Sequence, residues 1–239
     1  GKLFNLKSNR LLNICGAVEC IHSYSLIHDD LPCMDNDKLR RGKATAHIKY
    51  GESTAVLAGN SLLTLAFEMI SDNRFKIKDK NKVLLIKKLA ECSGHTGIAG
   101  GQELDLKYEK KRKNFKDTIN MQRKKTGKLF SFCCFAASQI AGKGDKENID
   151  LIKLGEDIGL LFQLADDFLD VKGKSKYTGK TVNKDKKKGK STIINLVGYN
   201  NAYDYAINLK KKILRKLEKH GNKANDLKNI VNFILERKY

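Results

Sequence analysis

Two groups of aspartates stand out: Asp29, Asp30 and Asp35 in His28-Asp29-Asp30-Leu31-Pro32-Cys33-Met34-Asp35, and Asp166, Asp167 and Asp170 in Gln163-Leu164-Ala165-Asp166-Asp167-Phe168-Leu169-Asp170. Each gathers three carboxylates at the end of an apolar run, where isolated charge is costly. Closely spaced carboxylate oxygens favour a hard ion such as Mg²⁺, which shares its coordination with water and phosphate oxygens. Two such groups imply one diphosphate clamped from two sides. Acidic residues at helical spacing are often only a solvated face. Leu160, Leu161, Phe162, Leu164, Phe168 and Leu169 surround the second group and argue against that reading.

Downstream of Asp35 runs Asn36-Asp37-Lys38-Leu39-Arg40-Arg41-Gly42-Lys43. Guanidinium groups grip phosphate through planar paired donors, so Arg40 and Arg41 suit the ligand that the metal would hold. In the second group, Asp166 and Asp170 lie one helical turn apart and Gln163 three residues before Asp166, so all three share a face.

The elements that must carry these residues read as helices. Leu11, Ile14, Cys15, Val18 and Ile21 recur at helical spacing, giving a helix from Leu11 to His28 that Pro32 ends near its aspartates. Further helices are expected over Gly51 to Ile70, Asn81 to Ala99, Asn114 to Ala141, Asn148 to Val171, Ser191 to Gly198, Ala202 to His220 and Lys223 to Arg237. The third closes on Ala99-Gly100-Gly101, the fifth carries the late aspartates, and Lys172 to Lys190 reads as a loop. No repeat, linker or strand pattern competes, so the expected fold is all-α, one domain over residues 1–239.

Composition agrees: one proline and few aromatics among abundant Leu, Ile, Ala and Lys favour helix over sheet. No charge-free apolar stretch approaches the length needed to span a bilayer, and no signal peptide opens the chain, so a cytoplasmic protein is expected. Cys15, Cys20, Cys33, Cys92, Cys133 and Cys134 form no CxxC pair and read as buried reduced thiols rather than a zinc site. The net charge of +20 could mark a polyanion binder. Aromatics are not interleaved with the lysines as base stacking requires, so a lysine-rich solvated surface is the simpler reading and no nucleic-acid partner is expected.

At this point the sequence resembles the trans-polyprenyl diphosphate synthases, and among them the bacterial-type farnesyl diphosphate synthases. The resemblance is carried, in family order, by Glu19-Cys20-Ile21-His22-Ser23-Tyr24-Ser25-Leu26-Ile27-His28-Asp29-Asp30, Arg40-Arg41-Gly42-Lys43, Gly100-Gly101-Gln102-Glu103-Leu104-Asp105-Leu106, Lys125-Thr126-Gly127 and Asp166-Asp167-Phe168-Leu169-Asp170. It implies a helical prenyltransferase fold around a deep pocket, usually a homodimer, that joins isopentenyl diphosphate to an allylic diphosphate (dimethylallyl or geranyl). It implies Asp29 and Asp35 as ligands for two of three magnesium ions, with Asp30 in support. Asp166 would be the main ligand of the third, with Asp167 and Asp170 holding its water shell. Arg40, Lys125, Lys180 and, more weakly, Lys190 would contact the allylic diphosphate, and His22 and Arg41 that of isopentenyl diphosphate. Thr126 and Gln163 match positions facing the allylic cation, so Lys125, Thr126 and Gln163 form the implied catalytic set. Gln102 and Asp105 read equally as structural hydrogen-bonding groups near the pocket.

Tyr24, with Ser25 beside it, lies five residues before Asp29, about 7 Å along a helix axis. A ring there could be the floor on which a growing prenyl tail stops, or simply a core tyrosine. With the two extra residues around Pro32 and Cys33, it resembles enzymes that stop at the fifteen-carbon product. The resemblance departs at Ala44, usually Pro, and at the start, where Gly1-Lys2-Leu3 stands and no Gly-Gly-Lys-Arg-x-Arg-Pro stretch precedes the first helix. Absent upstream helices are the expected explanation. The alternatives are a geranylgeranyl diphosphate synthase, a terpene cyclase and a noncatalytic partner subunit.

Overall fold

A computed structural model describes residues 1–109, 111, 113–172 and 192–237. Two 3₁₀ turns lead into α1 (Leu12–Asp29), followed by a two-strand hairpin, β1 (Leu39–Arg40) and β2 (Lys43–Ala44). Then come α2 (Ala46–Tyr50), α3 (Glu52–Ser71), α4 (Asp79–Ser93), α5 (Ile98–Tyr108) and α6 (Phe115–Gln122). A π-helical turn (Arg123–Gly127) runs straight into α7 (Lys128–Ile140); α8 (Asp145–Lys172), α9 (Ile193–Val197), α10 (Tyr199–Glu218) and α11 (Asn225–Glu236) complete the all-α architecture.

Apolar side chains gather into two buried clusters. One joins α1, α3, α4 and α7 through Ile14, Ile21, Ile70, Leu85, Leu89 and Phe132. The other joins α8 to α9, α10 and α11 through Leu160, Leu161, Leu164, Ile193, Ile213 and Val231. The α7–α8 pairing links them, and three glycines set how closely it packs. A Cβ on Gly155 would lie 2.5 Å from the Phe130 carbonyl oxygen, and one on Gly159 would lie 2.6 Å from the Gly127 Cα. Any larger residue would push α8 away from the π turn.

Several sequence expectations need correction. The helix expected over Asn81 to Ala99 breaks at Ser93, and Gly100 and Gly101 lie inside α5 rather than ending its predecessor. Gly97 makes the corner: a Cβ there would sit 1.9 Å from the Cys92 carbonyl oxygen. The helix expected from Asn114 to Ala141 contains the π turn, which periodicity cannot reveal. A hairpin appears where no strand was expected, turned by Arg41 (φ 52°) and Gly42 (φ 75°) as in a type I′ turn. Cys15, Cys33 and Cys133 are exposed rather than buried, although all six thiols are free. Finally, among the described helices α3 is long and apolar enough to cross a membrane by length and composition alone, Glu52 and Glu68 being its only charges; one face packs on α1 and α4, leaving Leu57 and Leu65 exposed.

Candidate active site

Helix α1 places His22, Tyr24, Ser25 and Asp29 along two turns and stops at Asp30, just before Pro32. The chain then folds back on the helix end. The Asp35 amide donates to the Asp29 carbonyl at 2.8 Å and the Asp37 amide to the Asp30 carbonyl at 3.1 Å, with Asn36 in the left-handed region (φ 51°). This return sets Asp35 against Asp29, both half-buried. Asp30 is only 3% exposed. Arg40 reaches it from the hairpin as a fork: Nε donates at 3.1 and 2.8 Å and Nη2 at 2.6 Å. The fork and the nearby Asp29 and Asp37 hold the Arg40 guanidinium above its ordinary pKa against the opposing effect of burial. Arg41 sits at the hairpin tip in a conformation rare for a side chain of its size, a local strain of the kind found at functional loops.

His22 is half-buried, and burial pushes its pKa down; Arg41 and Arg40 push the same way while Glu19 opposes. The expected homoallylic pair, His22 and Arg41, are therefore electrostatic neighbours. Tyr24 is buried, its ring meeting that of His28 edge-on with centroids 5.6 Å apart. His28 Nε2 lies 3.1 Å from the Val56 carbonyl oxygen, over Gly59, where a Cβ would collide with the imidazole at 2.0 Å. Helices α1 and α3 thus lock directly behind the first aspartates.

At the second cluster, α8 carries Gln163, Asp166 and Asp170 at successive turns, with Asp166 and Asp170 half-buried. Asp167 turns inward and is 3% exposed. Its Oδ1 accepts from Gln163 Nε2 at 2.9 Å and its Oδ2 from Gln122 Nε2 at 3.0 Å. Gln163 Oε1 accepts in turn from the Thr126 hydroxyl at 2.9 Å. Asp166 pairs with Arg237 at 2.5 Å, and the Arg237 guanidinium also lies 4.1 Å over the Phe162 ring.

The π turn delivers Lys125 and Thr126 to this place. A Cβ on Gly101 of α5 would stand 2.2 Å from the Lys125 backbone nitrogen, and Gly159 of α8 crowds Gly127 from the other side. Pressed between two glycines, the turn projects Lys125 toward α5, where its ammonium pairs with the buried Asp105 at 2.7 Å. Gln102, one turn earlier, is buried with neither amide atom hydrogen-bonded.

Thr126 and Gln163 are thus brought into contact, as are Arg40 and Asp30, and the charges of Arg41 and Arg40 act on His22. Lys180 and Lys190 lie outside the described residues. Sequence reading missed Gln122, the Lys125–Asp105 pair and the Arg237–Asp166 pair. For Gln122 the available signal was an amide three residues before Lys125; that a helix ends there is visible only in the structure.

Among the described residues no three His, Cys, Asp or Glu side chains converge closely enough to enclose a metal. Half-buried carboxylates, an all-oxygen donor set with no histidine or cysteine among them, still fit magnesium, which keeps several waters and completes its sphere with substrate phosphate. Asp29, Asp35, Asp166 and Asp170 have the chemistry of that donor set.

An all-α fold carrying two aspartate groups, a fork-forming arginine and a lysine on a π turn defines a class. A family model described as polyprenyl synthetase matches residues 2–234, and the chain belongs to that family. It is 40% identical to the farnesyl diphosphate synthase of Escherichia coli (strain K12), over 99% of this chain and 81% of that one. It is 39% identical to geranylgeranyl pyrophosphate synthase 4 of Arabidopsis thaliana, over 93% of this chain and 60% of that one. Among solved structures, an FPP/GFPP synthase from Zymomonas mobilis superposes with a TM-score of 0.87 at 36% identity, covering 98% of this chain and 79% of that chain. A geranyltransferase from Helicobacter pylori, complexed with magnesium and isoprenyl diphosphate, gives 0.85 at 35% identity, covering 98% and 81%.

Proposed function

We propose that this chain is a magnesium-dependent farnesyl diphosphate synthase, condensing an allylic diphosphate head-to-tail with isopentenyl diphosphate. The observation that carries the reading is the shared construction of the two aspartate groups. In each, the second aspartate is buried and anchored, Asp30 by Arg40 and Asp167 by Gln122 and Gln163, while its neighbours stay half-buried. Asp29, Asp35, Asp166 and Asp170 would hold the ions, three in number by analogy with the family pattern, with Asp30 and Asp167 as supports. When bound, magnesium neutralises charge developing on the departing diphosphate.

The chain's own residues do the rest. Arg40 and Lys125 add positive charge at the leaving group, with Lys180 and Lys190 as further contacts. Arg41 and His22 hold the diphosphate of isopentenyl diphosphate. The oxygens of Thr126 and Gln163 face the allylic carbon and stabilise its positive charge while the pocket excludes water. The double bond of isopentenyl diphosphate attacks that carbon, and the released diphosphate takes the proton lost as the new alkene forms. Tyr24 and Ser25 limit the tail. The protein works as a homodimer, a reading supported by the exposed apolar residues Leu57 and Leu65 on α3.

The deciding experiment incubates the protein with Mg²⁺, isopentenyl diphosphate and either dimethylallyl or geranyl diphosphate, then sizes the dephosphorylated products. A fifteen-carbon alcohol is expected. A twenty-carbon product would move the assignment to geranylgeranyl diphosphate synthase, and a cyclic hydrocarbon or no condensation would overturn it.

A further inference from the structure

We propose that Gln122 is a positioning residue that sets the orientation of the Gln163 amide through Asp167. Gln122 closes α6 immediately before the π turn and is 4% exposed. Its Nε2 spans 45 positions of sequence to reach Asp167 Oδ2 at 3.0 Å. Asp167 is an acceptor when ionised, so both amides that touch it must present their NH₂ groups. Gln163 accordingly turns Nε2 to Asp167 Oδ1 at 2.9 Å and Oε1 to the Thr126 hydroxyl at 2.9 Å. A flipped Gln163 would set two oxygens against each other. Gln122 prevents the carboxylate from swinging round to allow that, because it holds the other oxygen of Asp167. The Oε1 of Gln122 is buried without a partner, a cost the site carries with the donor end committed to Asp167.

The inference rests on the reading that the Gln163 oxygen faces the allylic cation. A preorganised oxygen acts on the transition state and little on ground-state binding. Gln122→Met keeps the length of the side chain and removes its donor. It should lower kcat about tenfold, a fraction of what direct loss of one preorganised group costs, with KM for both substrates within about twofold. Gln122→His retains an N–H donor at similar reach and should recover most of that loss. A Gln122→Met/Gln163→Met double variant should be no slower than Gln163→Met alone, because the two residues act in series.

Wild-type kcat in Gln122→Met, equal losses in the Met and His variants, or multiplying losses in the double variant would each overturn the inference. If Gln163→Met itself keeps wild-type kcat, the reading of Gln163 is what fails. If Gln163→Met is slow and Gln122→Met is not, only the role of Gln122 fails.

Discussion

Arg40 holds Asp30 by a three-bond fork, although the two come from different elements: Asp30 caps α1 and Arg40 lies in β1. The fork ties the hairpin to the end of the helix and thereby sets where the Arg41 tip stands relative to His22. Asp30 is 3% exposed, so removing its partner strands a buried carboxylate. Arg40→Met should cost about 3 kcal/mol of stability, the low end for breaking a buried pair. Arg40→Lys, which keeps the charge but loses the fork, should cost less while still raising the allylic KM. Urea unfolding read beside steady-state kinetics checks both, and equal stability of the two variants would show that the charge of Arg40 does nothing for Asp30.

Gly101 allows α5 to touch the π turn at the Lys125 backbone. Gly101→Ala should destabilise the fold by roughly 1–3 kcal/mol, the usual cost of overpacking, and displace Lys125 from Asp105. Thermal unfolding and kcat should therefore fall together.

Tyr24 is buried behind the first aspartates. Tyr24→Ala should lengthen the product and destabilise the protein by roughly 3 kcal/mol. Mass spectrometry of the products decides it; an unchanged chain length would leave Tyr24 as a core residue only.

Arg237 occupies Asp166, the aspartate expected to take a metal ion. Because Asp166 is 45% exposed, the pair is worth only about 0.5–1 kcal/mol. Arg237→Ala should accordingly lower the Mg²⁺ concentration for half-maximal activity by about two- to fivefold. A magnesium titration of initial rates checks it, and no shift would mean that the two cations do not compete.

His22 has its pKa lowered by burial, with Arg41 and Arg40 adding to the effect. Below the ordinary histidine value the unfolded chain takes up this proton more readily than the folded one. Its contribution to stability is thus complete above that value and is lost as pH falls below it. His22→Gln should flatten the fall of unfolding free energy between pH 7 and pH 5, measured by denaturant titration at each pH.

What the sequence by itself determined is local and chemical. Helical periodicity located α1, α3, α8, α10 and α11, because a buried stripe repeats every turn whatever it packs against. The aspartate groups and Arg40-Arg41 were visible as residue types suited to a metal and a diphosphate, while Lys125-Thr126 stood out only through the family resemblance. Tertiary structure alone decided which members of those groups turn inward. Asp29 and Asp30 are neighbours of identical chemistry, yet it is Asp30 that is buried against the Arg40 fork ten residues on; Asp167 differs from the more exposed Asp166 in the same way, buried against Gln122 and Gln163. The break after Ser93 and the π turn also belong to packing, since Gly97, Gly101 and Gly159 matter through the backbones pressed against them. Close approaches between distant segments leave no period in the chain, and so the partners of each aspartate emerge only when the helices are assembled.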